Sequence, residues 1–552
     1  MIRSILTVTT AMLLVGCASA PISVATADAP PPVAAAAAST GAVETPGIEV
    51  LSIAELSAAM ARGDTTSEAI TAGYLARIAA IDDAGPTLNA VIATMPDALD
   101  QARARDAERA AGQVRGPLHG IPILIKDNIE AAGPLPTTAG SIALADNVTN
   151  RDAPMIARLK AAGAIILGKT NLSEWANIRS GNSTSGWSAV GGLTKNPHVL
   201  DRNTCGSSAG SGAAMAAGLA AGTIGTETDG SITCPSGVNG VVGFKPTVGL
   251  VSRTYIVPIS HSQDTAGPMT GSVRDAAMML TAMAGSDPAD PATAEADLHK
   301  TDFAAALDPD WLAGKRIGVL IDQIGDDPSI HSILDEALAT LRAKGAEIVE
   351  ISDSNAGMDT LGDDELEILM VELKADLDAY LASTPAAVKT RTLADLIAFN
   401  EAHADTEMRY FGQELFTLAQ GKPGLDDAGY IKTRDAARTL AGPDGIDRLM
   451  RTYKVDVLMG VTNGPAWLST LGKGDAYSGP SVSQLPAVAG YPHLTVPGGT
   501  IGDLPVGISF IGGKWQDAKV LSAGYAFEQA RPRIVTPSFI ATTGESPEAT
   551  AQ

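Results

Sequence analysis

Residues 203–246 read NTCGSSAGSGAAMAAGLAAGTIGTETDGSITCPSGVNGVVGFKP. The run is almost free of charge, crowded with Gly, Ala and Ser, and carries two serine clusters, Ser207-Ser208 and Ser231. Small residues at this density let backbone segments approach closely and take turns that a Cβ forbids. That suits a rigid pocket whose backbone N–H groups face a reacting atom. Gly/Ser-rich sequence also describes flexible linkers, but the interleaved Ala-Ala-Met-Ala-Ala and Val-Val-Gly-Phe runs are apolar and call for burial. The stretch reads as a packed core segment with a function.

The surrounding chain supports a large core. Of its 552 residues 45% are hydrophobic and 18% charged, the balance of a globular protein. A net charge of −23 argues against a protein that tracks nucleic-acid phosphates. Aromatic residues, at 4%, are too scarce for a base-stacking platform.

The N-terminus reads as an export signal. Arg3 supplies a positive start, and Ile5 to Val15 is an apolar run too short to span a bilayer. It ends in Leu14-Val15-Gly16-Cys17, which resembles a bacterial lipobox with Cys17 as the lipidated residue. An ordinary signal peptide cut at Ala18-Ser19-Ala20 is the competing reading. The boundaries drawn are a signal peptide over 1–16, a lipidated Ala/Pro-rich tether over 17–47, one large domain over 48–540 and a flexible tail over 541–552. Tether composition buries too little apolar surface to offset its ordering entropy. Cys205 and Cys234 are the other cysteines; an oxidising compartment permits a disulfide, but small buried fillers are the commoner fate and the expectation here.

From Gly47 the pattern becomes periodic. Ile53, Leu56, Met60, Ile70, Tyr74, Leu75 and Ile78 predict two helices broken at Gly63-Asp64. A solvated helix follows over Met95–Ala111, then a strand over Ile121–Ile125 that delivers Lys126 at its end, where α/β folds place working residues. A helix over Ala153–Ala162 precedes GAIILGKT, residues 163–170, which matches the phosphate-loop pattern letter for letter. Its Ala-Ile-Ile-Leu centre reads as a buried strand and not as a glycine nest, so nucleotide binding is rejected. Arg316–Leu320 reads as a strand, and residues 363–421 as mostly helical, with Leu366, Leu369, Met370, Leu373, Leu377, Tyr380 and Leu381 on one apolar face. Short strands fill 455–531 before a last helix near Val520–Ala530. Alternation over the whole length predicts a single large α/β domain.

Three constellations could supply hydrolytic chemistry. Gly206-Ser207-Ser208-Ala209-Gly210 fits a nucleophile elbow centred on Ser208, with His403 or His493 as base, but no strand leads into Gly206. A zinc site has no H-x-x-x-H or C-x-x-C spacing to support it. The third combines Lys126 with the serine clusters, and here the chain resembles the amidase signature family. The motifs are GPLHGIPILIKDN, AAGAIILGKTNLSEWAN, CGSSAGSGAAMAAG, GTETDGSI, GVVGFKPTVGLVSR and DTAGPM, with weaker agreement in AGYPHLTVPGG and LPVGISFIGG. They span about Ile48 to Arg533.

The resemblance implies a central mixed β-sheet covered by helices on both faces, and a Ser–cis-Ser–Lys triad. Ser231 falls on the nucleophile, Ser207 on the bridging serine at a cis peptide, and Lys126 on the base. Backbone N–H groups of Thr228, Asp229, Gly230 and Ser231 fall on the oxyanion hole. On pattern alone a lysine ending a strand is equally a surface residue; the resemblance assigns Lys126 to catalysis. No cofactor or metal is implied. Relatives that read T-D-T-G-G-S-I-R place Arg where this chain has Thr233, so a free acid near the scissile bond loses its partner and a neutral amide is expected. Asp229 replaces a glycine and is expected, with Thr233, near the substrate, although capping the turn is the commoner role of Asp. The TETDGSITCP variant, with LKADLDAYLA and LADLIAFNEAHADTEMRYFGQE, is most similar to peptide amidases, which remove the C-terminal amide of peptides. The partners expected are therefore a peptide or small-molecule amide and water, with a membrane touched only through the lipid anchor and a periplasmic location. Broad aliphatic, aryl or fatty-acid amide hydrolysis remains an alternative, as does a catalytically silent envelope lipoprotein. Export disfavours the amidotransferase role on charged tRNA.

Overall fold

Apolar runs bounded by Gly and Pro supply the strands, and several are buried at every position. Pro122–Lys126, Ile165–Thr170, Gly222–Glu227 and Val457–Val461 have no exposed residue. Successive strand side chains point to opposite faces, so both faces of this sheet are covered, and such strands read as continuous apolar runs. The computed structural model describes residue 47, residues 51–531 and residues 536–543. The expected signal peptide, Cys17 and all of the tether but Gly47 lie outside the described residues, as do residues 544–552.

Eleven strands form one mixed sheet: β1 (Val91–Thr94), β2 (Pro122–Lys126), β3 (Ile165–Thr170), β4 (Gly222–Glu227), β5 (Val242–Lys245), β6 (Thr265–Thr270), β7 (Arg316–Leu320), β8 (Glu347–Ile351), β9 (Val457–Val461), β10 (His493–Ile501) and β11 (Leu504–Ile511). Their spatial order is β1-β3-β2-β4-β6-β5-β10-β11-β9-β7-β8. β2 runs parallel to β3 and β4, and β7 runs parallel to β8 and β9. The remaining neighbours are antiparallel. The C-terminal strands are longer than the expected short ones: β10 and β11 form a hairpin whose turn is Gly502-Asp503. Gly502 takes a left-handed φ of 58° there.

Helices pack on this frame. α1 (Ile53–Arg62) starts at a capping box of Ser52 and Glu55 and stops at left-handed Gly63, the predicted break, before α2 (Ser67–Arg77). α3 (Ala98–Ala110) and α4 (Pro154–Ala161) follow as expected. α5 (Ala209–Ala216) and α6 (Thr233–Asn239) are short helices of small residues. The longest helix, Leu361–Ala382, buries Met370, Leu373, Leu377, Tyr380 and Leu381, but the expected Leu366 is exposed. The apolar stripe drifts around so long a helix, and its N-terminal end turns that position to solvent. At the start of the expected tail, the Arg202 guanidinium donates to Thr543 Oγ1 at 2.6 Å.

Candidate active site

The two parallel strands β2 and β4 are neighbours, with Ile125 opposite Ile224, and Lys126 and Thr226 follow near their C-terminal ends. Lys126 is fully buried and its Nζ has three contacts: Ser207 Oγ at 2.7 Å, Thr226 Oγ1 at 2.8 Å and the Thr226 carbonyl at 3.3 Å. Among the described residues no carboxylate lies within ion-pair distance of it. Burial pulls its pKa from 10.5 down to about 7, opposed by the more distant Asp264 and Glu227 carboxylates. A neutral amine has two hydrogens and one lone pair. With both hydrogens on Thr226, the lone pair faces the Ser207 hydroxyl.

Ser207 follows a cis peptide bond from Gly206. Glycine is required before it: a Cβ at 206 would stand 2.1 Å from Ser173 Oγ. The Ser207 carbonyl accepts from Ser173 N–H at 3.0 Å, fixing the segment from outside. Ser208, the centre of the elbow reading, is occupied structurally. Its hydroxyl donates to the Thr226 carbonyl at 3.0 Å and accepts from the Thr226 N–H at 3.2 Å. Neither proposed histidine serves it, since His493 is buried against Ser509 Oγ and His403 stacks on Phe399.

Beyond β4 the chain turns through Thr228, Asp229, Gly230 and Ser231, then enters α6. Gly230 has a left-handed φ of 74°, which a side chain would resist. The Glu227 carboxylate accepts from the N–H groups of Ile232 (2.8 Å) and Thr233 (3.0 Å) and so pins the exit of the turn. Among the described residues, the N–H groups of Thr228, Asp229, Gly230 and Ser231 have no protein acceptor. They are donors in want of an anion, beside the positive ends of α5 and α6. The Ser231 carbonyl accepts from Ser208 N–H at 3.2 Å, bringing both serine clusters together. Ser231 retains 8% exposure where Ser207 and Lys126 have none, so it alone of the three is open to a substrate. This arrangement provides a reachable hydroxyl, a relay hydroxyl, a desolvated amine and a donor-lined pocket.

The two cysteines are bonded, contrary to the expectation of unpaired fillers. Cys205 and Cys234, with Cα atoms 6.0 Å apart, form a disulfide that ties the segment before Ser207 to the helix after Ser231. Their 29-residue separation hid the contact; only the fold brings them together. The phosphate-loop match at 163–170 is β3, as expected, and its Lys169 is fully buried against the Ile129 carbonyl (2.6 Å) and Thr137 Oγ1 (2.8 Å).

Several contributors were not singled out from sequence. Asp264, inside DTAGPM, accepts from Thr228 Oγ1 at 2.6 Å and from the Ile259 and Ser260 N–H groups. Burial raises its pKa to about 6. Glu227 and Thr226, inside TETDG, hold the turn and the lysine. Their signal was position within quoted motifs, though not spacing. His261, Glu372 and Asp376 gather within 4.8 Å of one another; the Glu372 oxygens already accept from Ser260, Ser262 and Tyr430.

Two cavities share the turn. A cavity of about 450 Å³ is lined by Thr226 and Thr228 together with Tyr255, Val257, Ile259 and Tyr380. Arg253 on its wall is paired with Asp290 at 2.6 Å. A second, of about 250 Å³, is lined by Gly206, Asp229, Gly230 and Thr233, so both expected substrate residues face one space.

Comparison with known proteins identifies the family. The family profile described as Amidase matches residues 69–521. A probable amidase of Arabidopsis thaliana is 38% identical over 508 residues, covering 90% of this chain and 92% of its own. The crystal structure of native peptide amidase from Stenotrophomonas maltophilia superimposes with a TM-score of 0.85 at 48% identity, covering 89% of this chain and 99% of that one. A peptide amidase in complex with the competitive inhibitor chymostatin gives a TM-score of 0.84 at 49% identity, covering 88% and 99%.

Proposed function

The chain belongs to the amidase signature family, an amidase hydrolase, and from that premise we propose that it removes the C-terminal carboxamide of peptides outside the cytoplasm, with Ser231 as nucleophile. The observation that carries the catalytic assignment is the buried Lys126 Nζ, unpaired with any carboxylate among the described residues and 2.7 Å from Ser207 Oγ.

In the mechanism, neutral Lys126 takes the Ser207 proton while Ser207 takes that of Ser231. The Ser231 oxygen bonds to the amide carbon, and the carbonyl π pair moves onto oxygen, where the N–H groups of residues 228–231 receive it. On collapse the carbonyl reforms and the C–N pair leaves with nitrogen, which is protonated by Ser207, itself refilled from Lys126. Ammonia departs. Water then repeats the sequence on the acyl-Ser231 ester, releasing the free acid and restoring the serine.

The peptide reading is supported by the similarity to peptide amidases and by Thr233, which offers no guanidinium fork to a carboxylate. Net charge −23 disfavours a charged-tRNA substrate. Export is supported by the sequence of residues 1–17, and a disulfide beside the site agrees with an oxidising compartment. Anchoring through Cys17 is part of the same proposal. The test is ammonia release from a peptide amide, its free-acid counterpart, a simple aliphatic amide and a long-chain fatty amide. A preference for either of the last two rejects the peptide reading. Ser231→Ala is expected to abolish release with an unchanged melting temperature; near-normal turnover in that variant would remove Ser231 from the mechanism.

A further inference from the structure

The cavity of about 250 Å³ has polar side chains on its wall that the reaction above leaves unused. Three oxygens of residues on its wall, Asp229 Oδ1, Thr233 Oγ1 and Asn463 Oδ1, are buried without any hydrogen-bond partner. Thr233 and Asn463 are themselves 0% and 2% exposed. Unmade hydrogen bonds at buried atoms are unfavourable, and native proteins keep few of them without a purpose. All three can accept, and each belongs to a residue of the cavity wall.

Charge points the same way. The lining holds two carboxylates, Asp229 and Asp475, and among the described residues no Lys, Arg or His. Asp475 is engaged by the Ser185 N–H at 3.0 Å, whereas the Asp229 carboxyl group has the Ser483 hydroxyl beside it. Trp467 and Tyr477, packed edge to face at 5.4 Å, add aromatic surface of the kind that attracts cations. A water's share of liquid volume is about 30 Å³, so the space far exceeds what departing ammonia needs. Gly206 and Gly230, also on the wall, directly precede Ser207 and Ser231.

We propose that this cavity is a substrate subsite for a cationic side chain, a guanidinium or alkylammonium on the residue bearing the scissile amide, received by Asp229, Thr233 and Asn463. The proposal rests on the peptide-amide reading and narrows it: basic C-terminal residues are favoured and acidic ones rejected. Asp229 then has two separate duties, its N–H in the oxyanion hole and its carboxylate in selection.

The experiment compares N-acetyl-arginine amide with N-acetyl-citrulline amide, a neutral near-isostere, in the wild type and in Asp229→Asn and Thr233→Val. Agmatine binding to Ser231→Ala, and to Ser231→Ala combined with Asp229→Asn, is measured by calorimetry. The expected result is kcat/KM at least about tenfold higher for the arginine amide, since charge-assisted hydrogen bonds are roughly twice as strong as neutral ones. That ratio should collapse below about threefold in Asp229→Asn, and agmatine binding should be lost with it. Equal turnover of both amides by the wild type overturns the subsite while leaving peptide amide hydrolysis standing. If neither is cleaved but a simple aliphatic amide is, the peptide reading fails; Asp229-dependent agmatine binding would then still support a cation site, and its absence would overturn that too.

Discussion

Lowering the pH should switch the enzyme off through Lys126, and the structure sets where. A lysine titrating at 10.5 would be neutral in about one molecule in three thousand at pH 7. With burial bringing the value to about 7, half the enzyme carries the free amine at that pH. The difference corresponds to on the order of 5 kcal/mol in favour of the base form. Because only the neutral amine can accept the Ser207 proton, kcat/KM should plateau above pH 8 and fall about tenfold per unit below 7. At pH 5 it should be about 100-fold below the plateau. The assay is ammonia release under first-order conditions, using an N-acetylated peptide amide that does not itself titrate in this range. Asp264, with a pKa raised to about 6, could also shape the acid limb, and Asp264→Asn separates the two. The Asn oxygen can accept from Ile259 and Ser260 while its NH₂ donates to Thr228 Oγ1, so the contacts are retained. Because the Asp264 charge favours the ammonium form, removing it should move the midpoint to lower pH. A limb that vanishes in this variant would assign it to Asp264. A flat wild-type profile between pH 5 and 8 would refute Lys126 as the base.

Other outcomes follow from the same geometry. Ser207→Ala should lower kcat by about 10²–10⁴-fold, the range for a lost proton-transfer group, with circular dichroism unchanged. Gly206→Ala forces a Cβ to 2.1 Å from Ser173 Oγ and should cost about 1–3 kcal/mol in urea unfolding together with most activity. Replacing both Cys205 and Cys234 by Ser opens a 29-residue loop and should cost about 3–4 kcal/mol in the same assay. Cys17→Ser should move the protein from membrane to soluble fractions of its host, and unchanged fractionation would rule out the lipid anchor.

How much of this was legible in sequence depends on whether a feature is local. Gly63 stops α1 because turn chemistry acts within a few residues, and the buried strands announced themselves as apolar runs. The phosphate-loop match could be dismissed for the same local reason: Ile165, Ile166 and Leu167 belong inside a sheet. Leu366 failed because a helix of 22 residues does not keep one face inward along its length. The triad came through motif resemblance. Nothing in spacing places Lys126 beside a serine 81 positions later; the fold does, by setting the segment before α5 against the end of β2.

The least legible features are those defined by what is missing. Sequence showed Asp229 and Thr233 flanking the proposed nucleophile, Ser231, and left capping or substrate contact open. Capping of the turn falls instead to Glu227, whose carboxylate takes the Ile232 and Thr233 N–H groups. That leaves Asp229 Oδ1 and Thr233 Oγ1 with no structural duty. A buried carboxylate without duty is disfavoured by desolvation, and burial, then the nearby Glu365, raises the Asp229 pKa well above the usual carboxylate range. A bound cation would reverse that penalty. The group whose burial is unfavourable on its own is thus the one that should discriminate most sharply between a charged and a neutral ligand.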